Sequence, residues 1–264
     1  MKEKNKMSKS QNKNDPECIK EIMDESKIHD PKFRKTHLHV ICDLYKQRRN
    51  RMIVMSGLMI TLIMTVIYGT LENPFKYTLS NIGNFFTYRE IFIIWAVIAG
   101  AAIQTACVTL FRLEQFKQKR SYTFTVYASI ALVLTAIIPA LKDTFPFWHF
   151  VHVLIAINYA LFLILGLQPF LRYISKENPR LRTIIAIWQY VIVGGGFLSV
   201  LIFGMSGIFE IWFIATVTMF LLYLSLVLYE ENIVKKSVEL LKNEKDLNIG
   251  IEKIFVPENP EKKK

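Results

Sequence analysis

The segment Pro139-Ala-Leu-Lys-Asp-Thr-Phe-Pro-Phe-Trp-His-Phe-Val-His152 gathers several side chains whose types and spacing could do chemistry. His149 and His152 stand three residues apart, which on a helix puts both imidazoles on one face. Asp143 lies just before them. Two ring nitrogens and a carboxylate suit zinc, and with one coordination position open such a set would activate water against a lipid headgroup. No third membrane histidine completes the usual set, so Asp143, Glu210 or Glu72 would have to supply the remaining ligand. A second polar group lies in Lys76-Tyr-Thr-Leu-Ser-Asn-Ile-Gly-Asn-Phe-Phe86, where Ser80, Asn81 and Asn84 surround Gly83 and Arg89 follows shortly after.

Three readings of these residues stay open. In the first, His149, His152 and Asp143 hold a divalent metal, zinc by ligand type, in a lipid-directed hydrolase; the other two need no cofactor, and none is what the sequence favours. In the second, Ser80, Asn81, Asn84, Arg89, Asp143, His149 and His152 line a hydrogen-bonding pocket for a lipid headgroup or a partner segment, because hydroxyl, amide and guanidinium donors suit phosphate and sugar. In the third, both histidines donate to backbone carbonyls and Asn side chains and fix helix packing. Gly83 would let the intervening loop turn tightly.

The elements that must position these groups are membrane spans. Of 264 residues, 52% are hydrophobic and 19 are Phe, more apolar surface than a soluble domain of this length needs. A helix crosses the hydrocarbon core with about 20 apolar residues. Six stretches qualify: 52–71, 91–111, 122–141, 147–171, 183–203 and 211–228. They predict an all-α integral membrane protein, a six-helix transmembrane domain over 52–228.

Orientation follows from the short loops. Loop 112–121 carries Arg112, Lys117, Lys119 and Arg120, and loop 172–182 carries Arg172, Lys176, Arg180 and Arg182. Loop 142–146 has only Lys142, and 204–210 has no basic residue. With Arg48, Arg49 and Arg51 before the first span, the positive-inside rule places both termini in the cytoplasm of a multi-pass cell-membrane protein. Residues 72–90 then form the longest external connection, and Trp95, Trp148 and Trp212 fall near the outer interface, with Trp188 near the inner one.

The flanks are basic and mixed. Residues 1–51 hold 14 Lys/Arg against 8 Asp/Glu, whereas 229–264 hold 8 of each. Within the first, Leu38, Ile41, Cys42 and Tyr45 at helical spacing predict an interfacial amphipathic helix over 31–51. After the last span, Ile233, Val234, Val238 and Leu241 continue a helical pattern that would pack on the N-terminal helix or on a second copy. Residues 1–14 and 256–264 read as disordered. The net charge of +11 belongs to topology and to anionic membrane lipids rather than nucleic acid, for which no motif is present. His29, His37 and His39 lack converging metal-ligand spacing, and Cys18, Cys42 and Cys107 do not form a disulfide framework.

A transporter is a further alternative, since two sets of three spans would be inverted repeats. Ile94-Trp95 before Gly100 and Ile187-Trp188 before Gly194–Gly196 occupy corresponding spans, but their spacing differs by one residue. Charge at membrane depth is nearly absent, and the three glycines fit close helix packing better than an unwound segment. No nucleotide-binding loop, nucleophile elbow or zinc-protease motif occurs. The chain thus reads as a binding protein or a structural scaffold before it reads as an enzyme.

Over 52–228, the strings Leu79-Ser-Asn-Ile-Gly-Asn84, Ile91-Phe-Ile-Ile-Trp95 and Phe145-Pro-Phe-Trp-His-Phe-Val-His152 resemble a bacterial membrane family catalogued as domain of unknown function 998. The resemblance implies six helices, a Ser-containing polar loop after the first span and a Pro/Asp/His segment before the fourth. It implies no activity. A more distant likeness is to the Frag1/DRAM type of membrane protein. Alkaline ceramidases and adiponectin-receptor hydrolases also combine Ser, Asp and His at a membrane surface. This chain departs from them in lacking a late His-x-x-x-His helix.

Overall fold

In the computed structural model, the backbone is described for residues 31–246 and the side chains for residues 43–238. Seven helices and no strands occur among the described residues. They are α1 (Pro31–Gly69), α2 (Leu79–Phe85), α3 (Arg89–Leu113), α4 (Lys119–Ile137), α5 (Pro146–Glu177), α6 (Pro179–Phe203) and α7 (Gly207–Asp246). Six of them, all but α2, are long and apolar enough to cross a membrane. The chain divides into a unit of residues 50–230 and a second unit made of the residues on either side.

Helix boundaries depart from the sequence expectation where a specific residue acts. The third span ends at Ile137, not 141, because Pro139 disfavours helical backbone at the residue before it, and Ile138 is extended at φ −80° and ψ 128°. Pro146 restarts the chain at the first turn of α5, where its missing N–H costs nothing. Residues 31–51, expected as an interfacial helix, are helical as the first part of α1, with no Gly or Pro from 32 to 56. Helix α7 likewise continues through the expected extension. The tails at 1–14 and 256–264, His29, and the side chains of Cys18, His37, Leu38, His39, Ile41, Cys42 and Leu241 lie outside the described residues.

In the 50–230 unit, the core forms where small residues let helices approach. A Cβ on Gly166 of α5 would sit 2.7 Å from Thr125 Cγ2 and 3.1 Å from the Thr125 backbone nitrogen of α4. Without a water-driven hydrophobic effect between helices in lipid, this close approach is what packing rests on. Between α3 and α4, Ser129 Oγ donates to the Gly100 carbonyl at 3.1 Å. Towards the basic loop, Phe111, Phe116, Tyr122, Phe170 and Tyr173 form one aromatic cluster. At the other end, Tyr68, Phe92 and Trp95 stack with centroids 5.5–6.0 Å apart.

Trp95 is therefore a core residue, 2% exposed, its Nε1 donating to Thr65 Oγ1 at 3.0 Å. Trp148 is exposed, and Trp212 crosses to α6, where Nε1 donates to the Val191 carbonyl at 3.2 Å. In the flanking unit, Lys236 pairs with Asp43 at 3.7 Å.

Candidate functional site: two polar clusters at the helix ends

The segment 72–90 is not a plain loop. Thr78, extended at φ −72° and ψ 161°, caps α2 by accepting from the Asn81 N–H at 3.1 Å. Its hydroxyl also meets Ser80 Oγ at 2.9 Å. A helix start leaves further donors unpaired, and here Glu210, from the first turn of α7, accepts the Leu79 N–H on Oε2 at 2.6 Å. The Leu79 carbonyl takes the Tyr68 hydroxyl at 2.9 Å. Leu79 is thus held on both backbone groups by side chains of α1 and α7, 11 and 131 residues away.

Asn84 Nδ2 donates to the Ser80 carbonyl at 2.7 Å inside the same short helix. Gly83 does not serve as a turn. It lies within α2 without positive φ, and a Cβ there would stand 3.0 Å from Phe92 and from the Tyr68 hydroxyl. Space, not backbone freedom, is what that glycine provides. Ser80 is buried, and the half-buried Asn81 carboxamide makes no hydrogen bond among the described residues.

The second cluster closes α4. Its last carbonyls have no partner within the helix, and three side chains from elsewhere take them or their continuation. Arg89 Nη2 donates to the Ile137 carbonyl at 2.8 Å, His152 Nδ1 to Ile138 at 3.1 Å, and His149 Nδ1 to Ala140 at 2.8 Å. A carbonyl only accepts, so Nδ1 of each imidazole carries the proton. Donors at this end also complement the helix dipole. His152 is 4% exposed, whereas Arg89 is exposed.

The structure therefore brings Arg89, His149 and His152 together, and separately Ser80, Asn84 and Glu210. No hydrogen bond among the described residues joins the two groups. Asp143 is exposed and forms no ion pair with either histidine. Among the described residues no three His, Cys, Asp or Glu gather in a way that could hold a metal ion. Cys107 is a free, buried thiol. Below the histidines, Tyr159 is buried on the inward face, and Asn158 donates to its own Leu154 carbonyl at 2.9 Å.

Sequence reasoning overlooked Thr78 and Tyr68. A Thr just before a short apolar run is a helix-start signal, and Tyr68 continues the spacing of Val54, Leu58, Thr61 and Thr65, all buried. A scan against family models, a search of curated proteins and a search of solved structures each return no match to this chain.

Proposed function

We propose that this is a multi-pass protein of the cell membrane, both termini cytoplasmic, whose outer rim binds an anionic lipid headgroup. The observation that carries the reading is Arg89. Its guanidinium is exposed beside the histidine pair, and only Nη2 is spent on a carbonyl. The remaining donors form a fork suited to phosphate. Asn81, with an uncommitted carboxamide, adds a neutral donor on the same connection. Orientation rests on the basic loops at 112–121 and 172–182.

A structural reading of the histidines has its own support, since both rings donate to backbone carbonyls. The two readings separate by residue. Native mass spectrometry from mild detergent should show an anionic phospholipid retained on the wild type and lost from Arg89→Ala. His149→Ala with His152→Ala should lower thermal stability, and a zinc-sized adduct lost in that double variant would instead revive the metal-dependent enzyme. Equal lipid retention by the wild type and Arg89→Ala would sink the headgroup reading.

A further inference from the structure

In a membrane span, a Ser or Thr hydroxyl has a cheap partner, the carbonyl one turn back. This chain uses it repeatedly. Thr61, Thr65, Thr135 and Ser175 each donate to the carbonyl four residues earlier, at 2.7–3.0 Å, and so does Thr216 of α7 at 2.7 Å. Two hydroxyls of α7 do not. Thr218 and Ser225 are both 0% exposed, and their side-chain oxygens have no partner. The Tyr229 hydroxyl, on a residue 1% exposed, has none either.

Spacings of seven and four residues put Thr218, Ser225 and Tyr229 on one face of α7. Ile211, seven residues before Thr218, lies on that face too, and a Cβ on Gly69 of α1 would collide with it. The face is thus turned to α1. There the buried Thr61 and Thr65 are already spent on α1's own backbone. Ser121 of α4, Tyr159 of α5 and Ser206, just before α7, also have unpartnered hydroxyls, but each stands alone.

Three aligned, buried hydroxyls turned away from their own carbonyls need a partner that is small, polar and able both to donate and to accept. We infer that the seam between α1 and α7 holds ordered water molecules, one bonded to each of Thr218, Ser225 and Tyr229. Eleven residues of helix span about 16 Å, roughly half of the ~30 Å hydrocarbon core. The three water sites therefore reach from the end of the bundle near Tyr229 to mid-membrane. These sites are independent of the headgroup rim.

Radiolytic hydroxyl-radical footprinting of the full chain in nanodiscs tests this, because radicals born from bound water oxidise the aromatic ring beside them. Tyr68 is the internal control, 2% exposed with its hydroxyl committed to Leu79. Tyr229 should be oxidised several-fold faster than Tyr68, and Thr218→Val with Ser225→Ala should reduce that labelling and lower the thermal midpoint. Equal labelling of Tyr229 and Tyr68 in the wild type overturns the inference. A rise in midpoint for the double variant points the same way, because dry unpaired hydroxyls are better removed. The wild-type comparison stands alone if the double variant fails to fold.

Discussion

At the scale of single residues, the polar groups at the helix ends are spent mainly on backbone. Glu210 shows this best: one carboxylate oxygen takes the first N–H of α2 across 131 residues of chain. Removing that acceptor leaves a donor unpaired among apolar neighbours, which costs about 1–3 kcal/mol. Glu210→Ala should therefore lower the thermal midpoint in detergent and open the α2 amides to hydrogen exchange. Glu210→Gln, which keeps an acceptor oxygen, should recover most of the loss. A Glu210→Gln variant as unstable as Glu210→Ala would show that charge, not capping, is what the site needs. In the sequence Glu210 stands out only as a candidate metal ligand. Its partner does not, because Leu79 contributes only backbone, and backbone donors carry no side-chain signal. His149 and His152 were recognisable as a same-face pair, but not which carbonyls they would meet, since that depends on how far α4 runs.

Elements were legible in proportion to how local their causes are. The six spans follow from apolar run length alone, and Pro139 and Pro146 mark the gap between α4 and α5. Helix α2 was hidden, because seven residues are too few for periodicity to speak and its stability comes from Thr78, Tyr68 and Glu210 rather than from propensity. The glycine run in α6 was expected to mean close packing, and the structure divides it residue by residue. A Cβ on Gly195 would strike the Trp212 ring, whereas Gly194 has nothing within 4 Å. Gly195→Ala should loosen α6 from α7 and lower the thermal midpoint. Gly194→Ala should be neutral or stabilising by up to about 1 kcal/mol, the helix-propensity difference. Equal effects of the two would mean that Trp212 does not hold α6.

At the scale of the whole molecule, orientation is the property most open to direct measurement. In a background with Cys18, Cys42 and Cys107 replaced, Thr87→Cys should react with a membrane-impermeant maleimide added outside intact cells. Gln115→Cys should react only after lysis. The opposite pattern would invert the topology and move the headgroup rim to the inner leaflet. The hydropathy pattern carried the number of crossings. It did not carry the interior, where Thr218 and Ser225 look like ordinary mild residues until their lack of partners is seen. Helix α6 is the least buried of the six crossings and follows α5 after the single residue Asn178. Across that hairpin Gln189 Nε2 donates to Gln168 Oε1 at 2.6 Å. A primary amide alone in lipid leaves its donors and acceptor unpaired, and this bond pairs a donor of Gln189 with the acceptor of Gln168. The pairing predicts that α5 and α6 enter the bilayer as one insertion unit, and that α7, made after them, then packs Trp212 against α6.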